Sequence, residues 1–271
     1  MVTQPHRLCT LAIALPLCAL GDAVAQAPGL PRTYAPTRAR STESIYPWRR
    51  DITASVFWVG EKVSANNPTH NKASSWDTKW MENFGGYDDP DPSKRAHDYR
   101  PKGFLPKRNP FYCALPYNDR INWAKTKPTA KRVVPWFTRT FEREGKSVCH
   151  GRWVAIHHRG KTCFAQWSDV GPFETDDWSY VFGRSRPKNT NNKSAGIDIS
   201  PAVRDCLGIK GGLAKIHWRF VEFYEIPLGP WAKYGEDNHF IHRAKLRERA
   251  EREEIEKLKR AREEWLKRNS G

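Results

Sequence analysis

The alternation of hydrophobic and polar positions predicts a chain that is mainly β before its C-terminal segment. Ile52–Gly60 is a β-branched and aromatic run closed by a glycine, which indicates a strand. Trp153–His157 and Thr162–Trp167 flank a short polar turn and predict a hairpin. Apolar and polar residues alternate along Trp218–Tyr224, which predicts a closing strand. We therefore expect these segments to build one β domain.

Two segments carry helical signals. After the short apolar run Ala195–Ile199, Ser200 suits an N-cap, Pro201 the first helical position and Gly208 the C-terminal cap. This order predicts a strand that runs directly into a short helix. Residues 236–271 are predicted to form a charged helical extension, solvated or loosely docked, because their apolar stripe is thin. A protein partner for this helix is an open possibility.

The N-terminal segment has the pattern of a secretory signal. A basic start at His6-Arg7 precedes the apolar run Leu8–Leu20 and a stretch of small residues. We predict a signal peptide over 1–27, an extended leader over 28–50, and a folded domain over 51–232 with an insertion at about 64–135. The protein is then expected to be secreted or periplasmic, with no integral membrane segment after signal cleavage.

Charge and cysteine content refine this picture. The formal net charge of +16 would attract nucleic acid or anionic polymers, and export argues against nucleic acid. Once the signal is removed, an even number of cysteines remains in an oxidising compartment, which predicts two disulfides whose pairing the sequence leaves open. These cysteines are Cys113, Cys149, Cys163 and Cys206.

Short motifs connect these elements to a known superfamily. The order is Thr53-Ala54-Ser55 in the first strand, Asp169-Val170-Gly171-Pro172-Phe173 after the hairpin, and Ile197-Asp198-Ile199-Ser200 before the helix. The chain resembles the double-psi β-barrel of the rare lipoprotein A family, expansins and family 45 glycoside hydrolases. The matched segments cover less than half of the predicted mature chain. The resemblance implies a six-stranded double-psi β-barrel with long loop insertions and an active groove.

The resemblance also implies roles for two acids. Asp169 corresponds to the catalytic Asp of the Asp-Arg-Gly-Pro motif in rare lipoprotein A. Asp198 corresponds to the Asp of the expansin His-Phe-Asp motif, which is the general acid in family 45 hydrolases. The chain departs from these patterns at Gly196-Ile197, where expansins have His-Phe, and near Tyr112, where rare lipoprotein A has a catalytic histidine.

Glycosidic bond cleavage requires a carboxylic acid to protonate the leaving oxygen, and hydrolysis usually requires a second carboxylate. Asp169 or Asp198 can be the acid, with Asp119, Asp77 or Asp177 as candidate partners. Each has a structural alternative. Asp198 can orient the strand-to-helix turn, Asp169 can form a turn, and the other three can be solvated loop acids.

Aromatic residues are the candidate sugar-binding groups, because flat rings suit the apolar faces of sugars. The alternative is core packing. The candidate substrate-binding residues are Tyr112, Tyr117, Trp76, Trp80 and Trp178. We expect no cofactor and no metal, since the pair His157-His158 has no third ligand placed near it.

Three hypotheses of function follow. The first is an exported enzyme that cleaves glycosidic bonds of peptidoglycan or β-glucan, as a lytic transglycosylase or endoglucanase-like hydrolase. The second is a non-catalytic, expansin-like module that binds or loosens the cell wall through the same groove. The third is an envelope scaffold whose charged helix binds a partner protein.

Overall fold

The computed structural model describes residues 45–64 and 67–269. The predicted signal peptide, and the predicted leader as far as residue 44, lie outside the described residues. The strands are β1 Arg49–Val56, β2 Tyr112–Leu115, β3 Arg120–Asn122, β4 Lys125–Thr126, β5 Trp153–His158, β6 Lys161–Val170, β7 Ala195–Ile199 and β8 Leu213–Phe220.

Most of the helices are short and lie in the connections between strands. They are α1 Trp80–Phe84, α2 Ala130–Val133, α3 Phe137–Thr140, α4 Trp178–Val181, α5 Asn191–Ser194, α6 Pro201–Leu207 and α7 His239–Asn269. Within α5, Asn192 and Lys193 have left-handed backbone angles, so this segment is a tight turn rather than a regular helix. Short 3-10 helices cover Pro92–Lys94, Phe223–Glu225 and Pro230–Ala232.

Six strands close into a mixed barrel in the order β1-β7-β2-β6-β5-β8. The pairs β1–β7 and β2–β6 are parallel, whereas β2–β7, β5–β6, β5–β8 and β1–β8 are antiparallel. β3 and β4 form a separate two-stranded sheet. Closure leaves the barrel without a free sheet edge, and it places β2 between β7 and β6.

The predicted hairpin and the strand-to-helix segment are both confirmed. β5 and β6 pair from Trp153 opposite Gln166 to His158 opposite Lys161. At the start of α6, Ser200 accepts the backbone N–H of Val203, and Gly208 caps the C-terminal end in the left-handed conformation. These elements were predictable because their signals are local.

Two predicted boundaries differ from the structure. The closing strand was expected over Trp218–Tyr224, whereas β8 covers Leu213–Phe220 and a 3-10 helix begins at Phe223. Pairing with β1 and β5 extends the strand toward its N-terminal side. The barrel strand β2 also lies inside the range 64–135, which was expected to be an insertion. Among the described residues of that range, the four residues of β2 are the ones that join the barrel.

The cysteines do not form the expected disulfides: all four of those within the described residues are free thiols. Cys113 lies on β2, Cys163 on β6 and Cys206 on α6, while Cys149 precedes β5. An even count of cysteines carries no information about where the fold places each Cβ atom, and disulfide geometry depends on that placement.

The predicted charged helix is present as α7. Beyond its first turns its side chains are exposed, including Leu258 and Trp265. Its N-terminal end docks on the barrel, where Trp153 donates a hydrogen bond to His239 at 2.9 Å and packs against Phe240. None of the described helices has the length and apolar character needed to cross a membrane.

Candidate functional site

Four strands bring one residue each into a single row across the barrel. Ser55 of β1 is in register with Asp198 of β7, Asp198 with Ala114 of β2, and Ala114 with Asp169 of β6. Residues opposite one another on paired strands point to the same face of a sheet. The two carboxylates predicted from the motifs therefore lie on one face, separated only by an alanine.

This row lies in a cavity of about 580 Å³. The cavity extends from the end of β1 to the segment that follows β6, and the lining includes Ser55, Ala114, Asp169, Gly171 and Asp198. Its size falls within the usual range for ligand sites, about 300 to 1,000 Å³. Ala114 leaves space above the sheet where a larger side chain would separate the two acids.

The carboxylate of Asp198 accepts a hydrogen bond on Oδ1 and lies near the backbone of Gly171 on the side of Oδ2. Ser55 Oγ donates a short hydrogen bond to Oδ1. Gly171 lies so close to Oδ2 that a Cβ atom at this position would be only 3.3 Å away. Burial raises the pKa of Asp198 to about 7; the Ser55 hydrogen bond opposes this rise, and the negative charges of Asp169 and Glu61 add to it.

Asp169 receives hydrogen bonds that favour its charged form. The backbone N–H groups of Ser75 and Val170 donate to Oδ1 at 2.8 and 2.7 Å. Burial raises the pKa of Asp169 to about 6, and these donors oppose that rise. The pKa of Asp169 is therefore raised less than that of Asp198, so Asp169 is the more readily ionised of the two acids.

Glu61 is a third acid in the cavity, and sequence reasoning did not single it out. Burial raises the pKa of Glu61 to about 7. Its Oε2 accepts a hydrogen bond from Asn71 Nδ2 at 3.1 Å. The sequence feature that could have identified Glu61 is its position directly after Gly60, the glycine that closes the first predicted strand.

The cavity is acidic although the protein is strongly basic. Glu61, Asp169, Glu174 and Asp198 line it, and no lysine or arginine occurs among the described lining residues. The formal net charge of the whole chain is +16. A negative, partly desolvated site stabilises positive charge that develops on a bound molecule.

Aromatic side chains form part of the cavity wall. Trp58 and Phe173 both line it, and Phe173 is 36% exposed. Trp58 is only partly buried and donates its indole N–H to Tyr87 Oη at 3.0 Å. Phe173 has a positive φ of 57°, a strained conformation for a non-glycine residue that often marks functional segments.

The acids expected to partner the two motif aspartates lie outside the cavity lining and stabilise loops. Asp119 is fully buried and accepts hydrogen bonds from Ser147 Oγ at 2.7 Å and Val148 N at 2.6 Å. Asp177 accepts the backbone N–H of Lys188, and Asp77 accepts that of Lys79. The structure thus does not bring Asp119, Asp77 or Asp177 together with Asp169 and Asp198.

Four of the five aromatic residues expected to bind substrate are buried: Tyr112, Tyr117, Trp76 and Trp80. Tyr112 donates its hydroxyl to Asp88 at 2.7 Å, and Trp80 packs against the Tyr112 ring. The rings of these four residues are occupied by protein contacts: Tyr112 lies on β2, and the segments that carry the other three pack against the barrel. Trp178 differs, since it is 43% exposed at the start of α4.

Within residues 45–64 and 67–269, no group of three His, Cys, Asp or Glu side chains is arranged to hold a metal ion. Comparison with known proteins gave no matching family model and no matching curated protein.

Proposed function

We propose that this protein cleaves glycosidic bonds in a cell-wall polysaccharide, peptidoglycan or β-glucan, with Asp198 as the general acid. The observation that carries the proposal is the row Ser55-Asp198-Ala114-Asp169 in one open cavity. It places two carboxyl groups on one face with different hydrogen-bonding environments.

The separation of the two acids supports this chemistry. Strand spacing is about 4.8 Å, so two strand intervals place the Cα atoms of Asp169 and Asp198 about 10 Å apart. Two-carboxylate glycosidases hold their carboxyl groups about 5 to 9.5 Å apart, and a Cα separation of about 10 Å allows a spacing of this size.

The charge distribution supports a division of roles. Asp198, with a pKa of about 7, retains the proton that the leaving oxygen requires. Asp169, with a pKa of about 6 and two backbone donors, is ionised near neutral pH and acts as base, nucleophile or electrostatic stabiliser. The acidic lining favours the oxocarbenium-like charge of the transition state.

We also propose that the barrel is a double-psi β-barrel and that the protein is exported. The closed barrel with parallel pairs β1–β7 and β2–β6 is compatible with a double-psi barrel of the rare lipoprotein A, expansin and family 45 type. Export to the periplasm or outside the cell follows from the signal pattern at residues 1–27.

The test is product release by the purified protein. Peptidoglycan is assayed for anhydro-muropeptides and soluble β-glucan for reducing ends. Asp198→Asn and Asp169→Asn are each expected to lower the rate by about a hundredfold or more, because each removes a proton-transfer or charge-stabilising group. Glu82→Gln is the matched control, since Glu82 is an exposed acid on α1.

Release of product at equal rates by the wild type and both aspartate variants would refute the catalytic assignment. Circular dichroism of each variant establishes that the barrel remains folded, so that a lost rate reports on chemistry.

A second candidate is a non-catalytic module that binds the wall in the same cavity. The observation that favours it is the partly exposed aromatic wall at Trp58 and Phe173, which can hold a sugar without chemistry. Sedimentation with insoluble wall material in the absence of any product release would support this alternative, provided that Phe173→Ala weakens the binding.

A further inference from the structure

A second concave site, the lysine basin, is formed by the part of the chain that connects β2 to β5 in sequence. Its volume is about 990 Å³. The basin is lined by the β3–β4 hairpin and by α2 and α3, with Asn122, Ala124, Lys125, Thr126, Lys127, Pro128, Lys131, Phe137, Thr138, Phe141 and Glu144. None of these residues lines the acidic cavity.

The basin combines an aromatic surface with positive charge. Phe137 and Phe141 are stacked with centroids 4.9 Å apart, and Phe141 is 37% exposed. Lys125 and Lys131 are exposed and make no ion pair within the described residues. The single acid of the lining, Glu144, is occupied by the backbone N–H of Thr126, which donates to its Oε2 at 2.7 Å.

The basin is joined to the acidic cavity through one segment. Thr175 lines the cavity, and its carbonyl oxygen accepts hydrogen bonds from Asn118 N at 2.9 Å and Lys127 Nζ at 3.4 Å. Lys127 also forms an ion pair with Asp176 at 2.8 Å. The wall of the cavity is therefore in direct contact with a lysine of the basin.

The two sites have opposite charge preferences. The cavity, lined by carboxylates, repels anionic substituents. The basin instead has the exposed ammonium groups of Lys125 and Lys131, which form no ion pair with any described residue, beside the stacked rings of Phe137 and Phe141. A sugar ring with a carboxylate satisfies both features of the basin, because its apolar face packs on the ring while its carboxylate meets an ammonium group.

We infer that the lysine basin is a binding site for an acidic polysaccharide, a glycan whose sugar rings carry carboxylates. The inference goes beyond the proposed function, because the basin shares no lining residue with the acidic cavity and has the opposite charge preference. Lys125 and Lys131 bind the carboxylates, and Phe141 supports the sugar ring.

The experiment measures binding of oligogalacturonides, whose rings carry carboxylates, by isothermal titration at low ionic strength. Fully methyl-esterified oligomers of the same length are the matched uncharged ligand. Asp198→Asn protein is used so that no ligand is cleaved. The charged oligomer is expected to bind about tenfold more tightly than the ester, and added salt should reduce this preference.

The double variant Lys125→Gln/Lys131→Gln, in the same background, should lose about tenfold in affinity for the charged oligomer and retain its affinity for the ester. Lys245→Gln/Lys257→Gln is the matched control, since it removes the same net charge from exposed positions on α7. The control should stay within about twofold of the parent.

Equal losses in the two double variants would overturn the inference, because the effect would then depend only on net charge. Equal affinity of the parent protein for the charged and esterified oligomers would also overturn it. The proposed function fails by a different measurement, namely unchanged turnover in Asp198→Asn, so the two failures are distinguishable.

Discussion

Asp198 and Asp169 lie on either side of a single residue, Ala114, with which both are in register. The two acids are 29 positions apart in the numbering, and they meet because β2 pairs with β7 on one side and with β6 on the other. Burial raises the pKa of both acids, and the backbone donors to Asp169 together with the negative charges near Asp198 make the rise larger for Asp198.

The pH dependence of turnover should be bell-shaped with a maximum between pH 6 and 7. The rate falls below the pKa of Asp169, about 6, because that carboxylate becomes protonated. It falls above the pKa of Asp198, about 7, because the general acid loses its proton. Measurement of kcat/KM from pH 4 to 9 checks this, and a flat profile would contradict the assignment.

Ser55→Ala should move the alkaline limb of that profile to higher pH. Ser55 donates to Asp198 Oδ1 and stabilises the ionised carboxyl, so loss of the hydroxyl raises the pKa of Asp198 further. The acidic limb, which belongs to Asp169, should stay in place. A shift of the acidic limb alone would assign the roles in the opposite order.

Folding stability should decrease as pH rises through the range in which Asp198 ionises. Its folded pKa of about 7 lies above the ordinary value of 3.8, so the native state binds the proton more tightly than the unfolded state. The contribution is fully present below about pH 4 and is lost as pH rises through 7; at 1.4 kcal/mol per pKa unit its upper limit is about 4 kcal/mol.

Urea unfolding at pH 5 and pH 8 measures this effect. Asp198→Asn should lose less stability over the interval than the wild type, because the amide has no proton to release. Identical losses in the two proteins would show that Asp198 is not desolvated in the native state.

Asp119→Asn should act on stability rather than on turnover. Both carboxylate oxygens of Asp119 accept hydrogen bonds in a buried loop, from Ser147 and Val148. One oxygen becomes an amide donor and loses its partner, at a cost of about 1 to 3 kcal/mol. Denaturant midpoints and specific activity of the folded protein check this, and a hundredfold loss of activity in stable protein would restore Asp119 as a catalytic candidate.

Phe173 should contribute affinity despite its strained backbone. Phe173→Ala keeps the positive φ and removes the ring, whereas Phe173→Gly removes the ring and also relieves the strain. Both variants should bind polysaccharide more weakly, and the glycine variant should unfold with a free energy about 1 kcal/mol higher than the alanine variant. Sedimentation binding and thermal unfolding separate the two effects.

Local sequence patterns determined the elements whose signals lie within a few residues. The β5–β6 hairpin, the β7-to-α6 segment and the charged helix α7 were all predictable, because turn residues, caps and charge periodicity act over short distances. The motifs also singled out Asp169 and Asp198.

Only the tertiary structure decided what surrounds those two acids. Strand pairing places Ala114 between them, Glu61 lines the same cavity, and packing buries Tyr112 and Trp80, which were predicted to bind substrate. The lysine basin and the free thiols also depend on contacts between segments far apart in the chain. Hydrophobic pattern encodes which face of a strand is buried, but the neighbours of each residue depend on strand order and register.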